Sequence, residues 1–205
     1  MMLKPLPIGF NEAAHVYRWE PTGEILARSV TGVTGWDMSA AKRIRLEETR
    51  HEWEQRGLDS HSALEQFFKT GIRTEDKGPY KEWINPLLGK EYWRNFQPLL
   101  VEGRLCDLRK SVGGSCDVLG LDGDGKLVLM DLKTKKSGTS KYSTDKQLGA
   151  HASMFIDHYR MPLDEIRTIW CGPGKTVIAP DQGVDKCLAA WLGCWDHFRT
   201  FRPRF

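Results

Sequence analysis

Gly113-Gly114-Ser115-Cys116-Asp117-Val118-Leu119, followed by Val128-Leu129-Met130-Asp131-Leu132-Lys133, is the stretch on which the fold turns. Both runs are apolar and of β type, and Asp122-Gly123-Asp124-Gly125 between them is turn chemistry of the kind that joins hairpin strands. Side chains alternate along a strand, so Asp131 and Lys133 share a face. In a matching register, Asp117 on the neighbouring strand reaches the same spot. Two carboxylates and an ammonium at one sheet position suit a hard divalent cation beside an attacking water. A lone D-x-K is more often a pair of solvated charges, so the surrounding chain has to decide.

Outward from the hairpin, residues 99–106 read as a first sheet strand in which Glu102 interrupts an apolar run, facing either solvent or a site. Downstream, Thr134-Lys135-Lys136-Ser137-Gly138-Thr139-Ser140-Lys141 is a polar basic loop, placed where Lys135, Lys136 and Lys141 can meet a phosphate backbone. A helix over 143–158 carries Leu148, Ala152, Phe155 and Ile156 as its buried stripe, with Gln147 and His151 one turn apart. Strands over 165–171 and 175–179 and a helix over 183–199 with Trp191 and Trp195 in the core complete this half. The end, Arg199-Thr200-Phe201-Arg202-Pro203-Arg204-Phe205, is a short basic aromatic tail. Gly174-Lys175-Thr176 does not belong to a P-loop, because Ile169 stands where the motif requires glycine.

Upstream, residues 14–20 and 25–31 form an expected hairpin around Pro21-Thr22-Gly23. A charged surface helix is expected from Asp37 to Gly57, and a second over 58–70 ending at Gly71. On the second, His61 and Glu65 share a face. Residues 72–98 read as short broken helices whose aromatics, Tyr80, Trp83, Tyr92, Trp93 and Phe96, belong mainly to the core. Helices, a mixed sheet, a helix and more sheet make one α/β domain over 1–205. Its parts are a hairpin and helical lead-in (14–98), a sheet core (99–179) and a C-terminal helix with tail (183–205).

Composition narrows the class. Hydrophobic residues are 40% and charged residues 28%, as in ordinary globular proteins, and a net charge of +3 does not by itself point to nucleic acid. The N-terminus reads as neither signal peptide nor membrane span, and five cysteines with irregular spacing and no C-x-x-C suit reduced thiols. We therefore expect an intracellular, soluble protein without membrane association. The spacing of the cysteines does not suit an iron–sulfur cluster.

The series His61…Glu102…Gly114-x-x-Asp117…Asp131-Leu-Lys133…Gln147-Leu-x-x-His151 resembles the RecB-type branch of the PD-(D/E)XK nucleases. It is most similar to the group containing the mitochondrial genome maintenance exonuclease and phage-encoded relatives. The stretch Arg56-Gly57-Leu58-Asp59-Ser60-His61-Ser62-Ala63-Leu64-Glu65 resembles the first helical motif of that family, and Ser29-Val30-Thr31 its lead-in. The likeness covers most of residues 14–160. It departs at His151, where the family usually has tyrosine.

The resemblance implies a restriction-endonuclease-like core, a central mixed sheet flanked by helices, with an N-terminal hairpin and a helical arch. It implies Mg²⁺ or Mn²⁺ held by Asp117, Asp131, the Leu132 carbonyl and His61. Lys133 would position or deprotonate water, Gln147 would hold the water or Lys133, and Glu102 would bind metal-bound water or a second ion. Arg56 and His151 would join the basic loop in meeting nucleic acid. The expected activity is a metal-dependent DNA exonuclease, acting from free single-stranded ends in replication, repair or recombination, in the host cytoplasm if phage-encoded. The alternatives are a λ-exonuclease-like recombination nuclease on duplex ends and a non-catalytic nucleic-acid-binding module.

Overall fold

The computed structural model describes residues 2–12, 14–136 and 142–202. Its centre is the expected hairpin, β6 (Val112–Leu121) and β7 (Leu127–Thr134). The turn closes because Asp122 Oδ1 accepts from the amides of Asp124 and Lys126, while Gly125 takes a φ of +77° that glycine adopts without strain. Before β6 runs β5 (Gln97–Asp107), antiparallel to it for nearly its whole length, with an irregularity between Pro98 and Leu100. Beyond β7 lie β8 (Glu165–Gly172), parallel, and β9 (Lys175–Ile178), antiparallel. A two-residue strand, β4 (Arg28–Ser29), pairs in parallel with Val112 and Gly113. The result is a six-stranded mixed sheet.

One edge of β6 is shared. β4 takes residues 112–113 and β7 takes residues 118–121, so 114–117 pair with neither. The sheet opens at that point.

Helices cover both faces. α5 (Asp145–Tyr159) and α6 (Val184–Phe201) pack on one, with Leu148, Phe155 and Trp191 at the centre of the largest apolar cluster. Gly149 allows the two helices to approach closely, since a Cβ there would lie 1.9 Å from the Cys187 carbonyl oxygen. α3 (Arg50–Thr70) and α4 (Lys81–Leu88) cover the other face with Leu64, Leu87, Trp93 and Phe96, a 3-10 turn (Glu91–Asn95) completing the layer. On α3 the residues buried at four-residue spacing, Arg56, Ser60 and Leu64, form the stripe that binds it to the sheet. The aromatics of 72–98 are largely core: Trp93 and Phe96 are buried, and Trp93 Nε1 donates to the Leu87 carbonyl.

Several boundaries differ from expectation. The N-terminal hairpin is a three-stranded sheet, β1 (Ile8–Asn11), β2 (Val16–Trp19) and β3 (Glu24–Ile25). Residues 28–29 leave it for the main sheet, and Val30–Thr34 turn into a short helix, α1, capped by Ser29 Oγ. The helical region breaks at Thr49, not at Gly57. α2 (Ala40–Glu48) is capped by Ser39, and α3 runs through Gly57 to Gly71, whose φ of +69° ends it. Glycine inside a helix weakens it by roughly 1 kcal/mol without stopping it when packing holds both sides. No helix of the described residues is long and apolar enough to cross a membrane. The expected contact of Lys141 and the end of the basic tail lie outside the described residues.

Two glycines test this packing. Gly149→Ala should destabilise the protein by about 1–3 kcal/mol, the cost of overpacking a closed contact. Gly193→Ala, on the open side of α6 with nothing within 4 Å of the new Cβ, should stabilise it by about 0.5–1 kcal/mol. Denaturant melts of both variants check the pair, and equal shifts would refute the close approach of α5 to α6.

Candidate metal centre

Asp117 sits where β6 loses its neighbour. Its Oδ2 accepts the amide N–H of Leu132 on β7, 2.5 Å away, so a side chain supplies the acceptor that a continued ladder would have offered. The residue is 7% exposed. Across from it Glu102 has a φ of +47°, a left-handed conformation that costs a non-glycine residue roughly 1 kcal/mol or more. Its carboxylate Oε1 lies 3.0 Å from His61 Nδ1, which projects from α3 on the residue after the buried Ser60. His61 Nδ1 is also 3.6 Å from Asp117 Oδ1. The ligating atoms of His61, Glu102 and Asp117 all lie within 4.8 Å of one another.

A second group adjoins the first. Asp131, 1% exposed, takes Lys133 Nζ at 2.7 Å on Oδ2 and Gln147 Nε2 at 2.9 Å on Oδ1. The expected sharing of a face by Asp131 and Lys133 is thus realised as an ion pair, and Gln147 holds Asp131 rather than Lys133. Leu132, between them, touches Asp117 through its amide N–H. Asp131 is not part of the mutual His61–Glu102–Asp117 set, although its charge is felt there.

The charges are mutually dependent. Burial alone would lower the His61 imidazole, yet Asp117 and Glu102 beside it, with Asp131 beyond, hold it up at about 9. Burial, reinforced by the carboxylates of Asp131 and Glu102, pushes Asp117 up to about 7 against the opposing pull of His61 and Lys133. Lys133 is lowered by burial and raised more strongly by Asp131 and Asp117, so it stays an ammonium. Three carboxylates face two cations, an excess of negative charge in a partly desolvated place.

Such a donor set fits a divalent cation. Two carboxylates and one imidazole nitrogen are donors that divalent cations accept.

Two residues expected to meet nucleic acid are elsewhere. His151 is 2% exposed on the inner side of α5, its Nε2 against Gly114, and burial pushes it down to about 4, with Lys133 adding to and Asp131 opposing the shift. A neutral packed ring fills the position. Arg56 is 6% exposed, donates to the Glu52 carbonyl oxygen, and lies over the Trp83 ring. Both belong to the core because their helix faces turn inward, which a single helical spacing leaves undecided. Glu65, one turn from His61, pairs instead with Lys69.

The basic loop begins in a fixed place. The Lys135 carbonyl accepts from Trp83 Nε1, and Lys135 Nζ lies over the rings of Tyr142 and Trp170. Lys136 pairs with Glu52. Lys135, Lys136 and Tyr142 line a cleft of about 910 Å³ together with His61, Lys133 and Gln147. Trp53, 39% exposed, and Leu58, 59% exposed, line it as well. Neither stood out in the sequence, since α3 read there as a solvated charged helix. A tryptophan left on such a face was the available signal. The cysteines, all unpaired and buried, are spread over three apolar clusters.

No family model matches the chain, and no curated protein matches it. Among solved structures, one titled "Crystal structure of SSO0001" aligns with 86% of this chain and 78% of its own at 15% identity, with a TM-score of 0.40. Likeness at that distance says nothing about what this chain does.

Proposed function

We propose that this chain is a divalent-metal-dependent deoxyribonuclease of the RecB-like PD-(D/E)XK type, acting from free single-stranded ends. The observation that carries the reading is the convergence of His61, Glu102 and Asp117 from a helix and two strands, next to the Asp131–Lys133 pair, with His61 and Lys133 lining an open cleft. Clustered buried acids repel phosphate, so a module that only binds nucleic acid gains nothing from them.

His61, Glu102 and Asp117 would hold the cation, with Asp131 adjoining. Bound there, a divalent ion acidifies a coordinated water and offsets the charge that builds on the phosphoryl oxygens. Lys133, ion-paired with Asp131 through Nζ, would orient water or a phosphate oxygen. Gln147 fixes the Asp131 carboxylate through Oδ1, which leaves Oδ2 to Lys133.

Preference for an unpaired strand rests on the cleft. Trp53 and Leu58 offer an apolar and aromatic wall to bases, while Lys133 stands on the side of the backbone. The exonuclease reading rests on the family resemblance.

Mn²⁺ at about a hundred times its dissociation constant should raise the unfolding free energy by about 2.7 kcal/mol. Thermal melts and calorimetric titration should show this in the wild type and lose it in Asp117→Asn. Asp131→Ala and Lys133→Ala should each lower the cleavage of end-labelled DNA by 10³-fold or more, with circular dichroism unchanged; full activity in either purified variant overturns the assignment. A closed single-stranded circle should survive conditions that digest the same DNA linearised, and digestion of the circle would make the enzyme an endonuclease. Trp53→Ala should weaken binding of a single-stranded oligonucleotide by about 5-fold to 150-fold, the range of one base stacking on an aromatic ring. Fluorescence anisotropy with duplex as the comparison measures that change.

A further inference from the structure

The face of the β5–β6 pair that carries Glu102 and Asp117 continues past them. Arg104 is directly opposite Ser115, two residues along from the Glu102–Asp117 level, or roughly 7 Å at the rise of a strand. This next level meets the N-terminal sheet. Ser115 Oγ is 3.3 Å from the hydroxyl of Tyr17, and a Cβ on Gly113 would strike the Tyr17 ring. The strand level is therefore bounded on one side by β2 and on the other by the metal centre.

Arg104 is exposed, yet it is held. Nη1 donates to the Ile8 carbonyl oxygen at 3.1 Å, and the guanidinium stands 5.9 Å from the centre of the Phe10 ring. Among the described residues no carboxylate lies within ion-pair distance of it. A guanidinium with one N–H anchored keeps several donors in a planar fork, the geometry that matches two oxygens of a phosphate. Beside it opens a groove of about 780 Å³ with Phe10, Val16 and Ile25 on its floor and walls. The groove's one acid, Glu20, is paired with Arg18.

We propose that Arg104 binds the phosphate adjacent to the scissile one, and that the groove on the N-terminal sheet takes the nucleotide attached to it. This rests on the nuclease reading above. The three-stranded sheet thereby becomes a wall of the substrate track. The chain of the nucleic acid passes from this groove, over the Arg104–Ser115 level, to the metal centre and on into the cleft beside Trp53.

Arg104→Gln and Arg104→Lys test the assignment on two substrates, a single-stranded oligonucleotide and bis(p-nitrophenyl) phosphate, which has one phosphodiester and no neighbour. The loss of kcat/KM on the oligonucleotide should exceed the loss on the small diester by about ten-fold or more, from a charge-assisted bond that only the longer substrate makes. Arg104→Lys should recover part of it. Oligonucleotide binding in Ca²⁺ should weaken in Arg104→Gln, with the dependence of log affinity on log salt shallower by about 0.7. Equal losses on both substrates together with a lowered thermal midpoint would assign Arg104 to anchoring β1 and overturn the proposal, as would unchanged oligonucleotide binding. If the wild type cleaves neither substrate but Arg104→Gln still weakens oligonucleotide binding, the nuclease reading fails and the phosphate subsite stands.

Discussion

The carboxylate of Asp117, accepting the Leu132 amide at the place where β6 and β7 part, is the contact on which the rest of the site depends. Below it the two strands make a regular ladder from Val118 to Leu121. Above it β6 takes β4 as its partner on that edge, while β7 keeps only β8, which pairs with it along its other edge from Val128 to Thr134. An open seam in a sheet leaves backbone donors without acceptors, and a buried donor left so costs about 1–3 kcal/mol. A short acidic side chain meets that need and, in doing so, is drawn out of water.

Burial then determines the electrostatics. At an effective dielectric of about 20, like charges roughly 4 Å apart repel by about 4 kcal/mol. Burial first, and the charges of Asp131 and Glu102 after it, make Asp117 resist ionisation, while the neighbouring carboxylates hold the His61 imidazole up. Lys133 and Gln147 occupy the two oxygens of Asp131, so this acid is fixed in place. The left-handed Glu102 aims its carboxylate at His61, a strain tolerated where long pairing of β5 with β6 secures both sides. The groups come from five elements: α3, β5, β6 and α5 contribute one each, and β7 contributes Asp131 and Lys133.

The central hairpin, its turn, the stripe of α5 and the apolar positions of α6 were legible because their patterns repeat at two or 3.6 residues. Asp117, Asp131 and Lys133 were legible for the same reason. Helix caps were less so. Asp37 reads as a cap and Gly57 as a stop, yet Ser39 caps α2, and α3 passes through Gly57 because packing outweighs one weak residue. Ile8–Asn11 was missed as a strand, since four residues bounded by proline and a turn carry little periodic signal.

By itself the sequence determined an α/β chain with a mixed sheet and placed acids and a lysine on a central hairpin, since local propensity and alternation depend only on neighbours along the chain. Only the tertiary structure decided which polar groups meet. Whether His61 and not Glu65 reaches Glu102, whether His151 and Arg56 turn inward, and whether Arg104 stands beside the centre depend on helix rotation and strand register. Those are settled by packing between elements far apart in sequence.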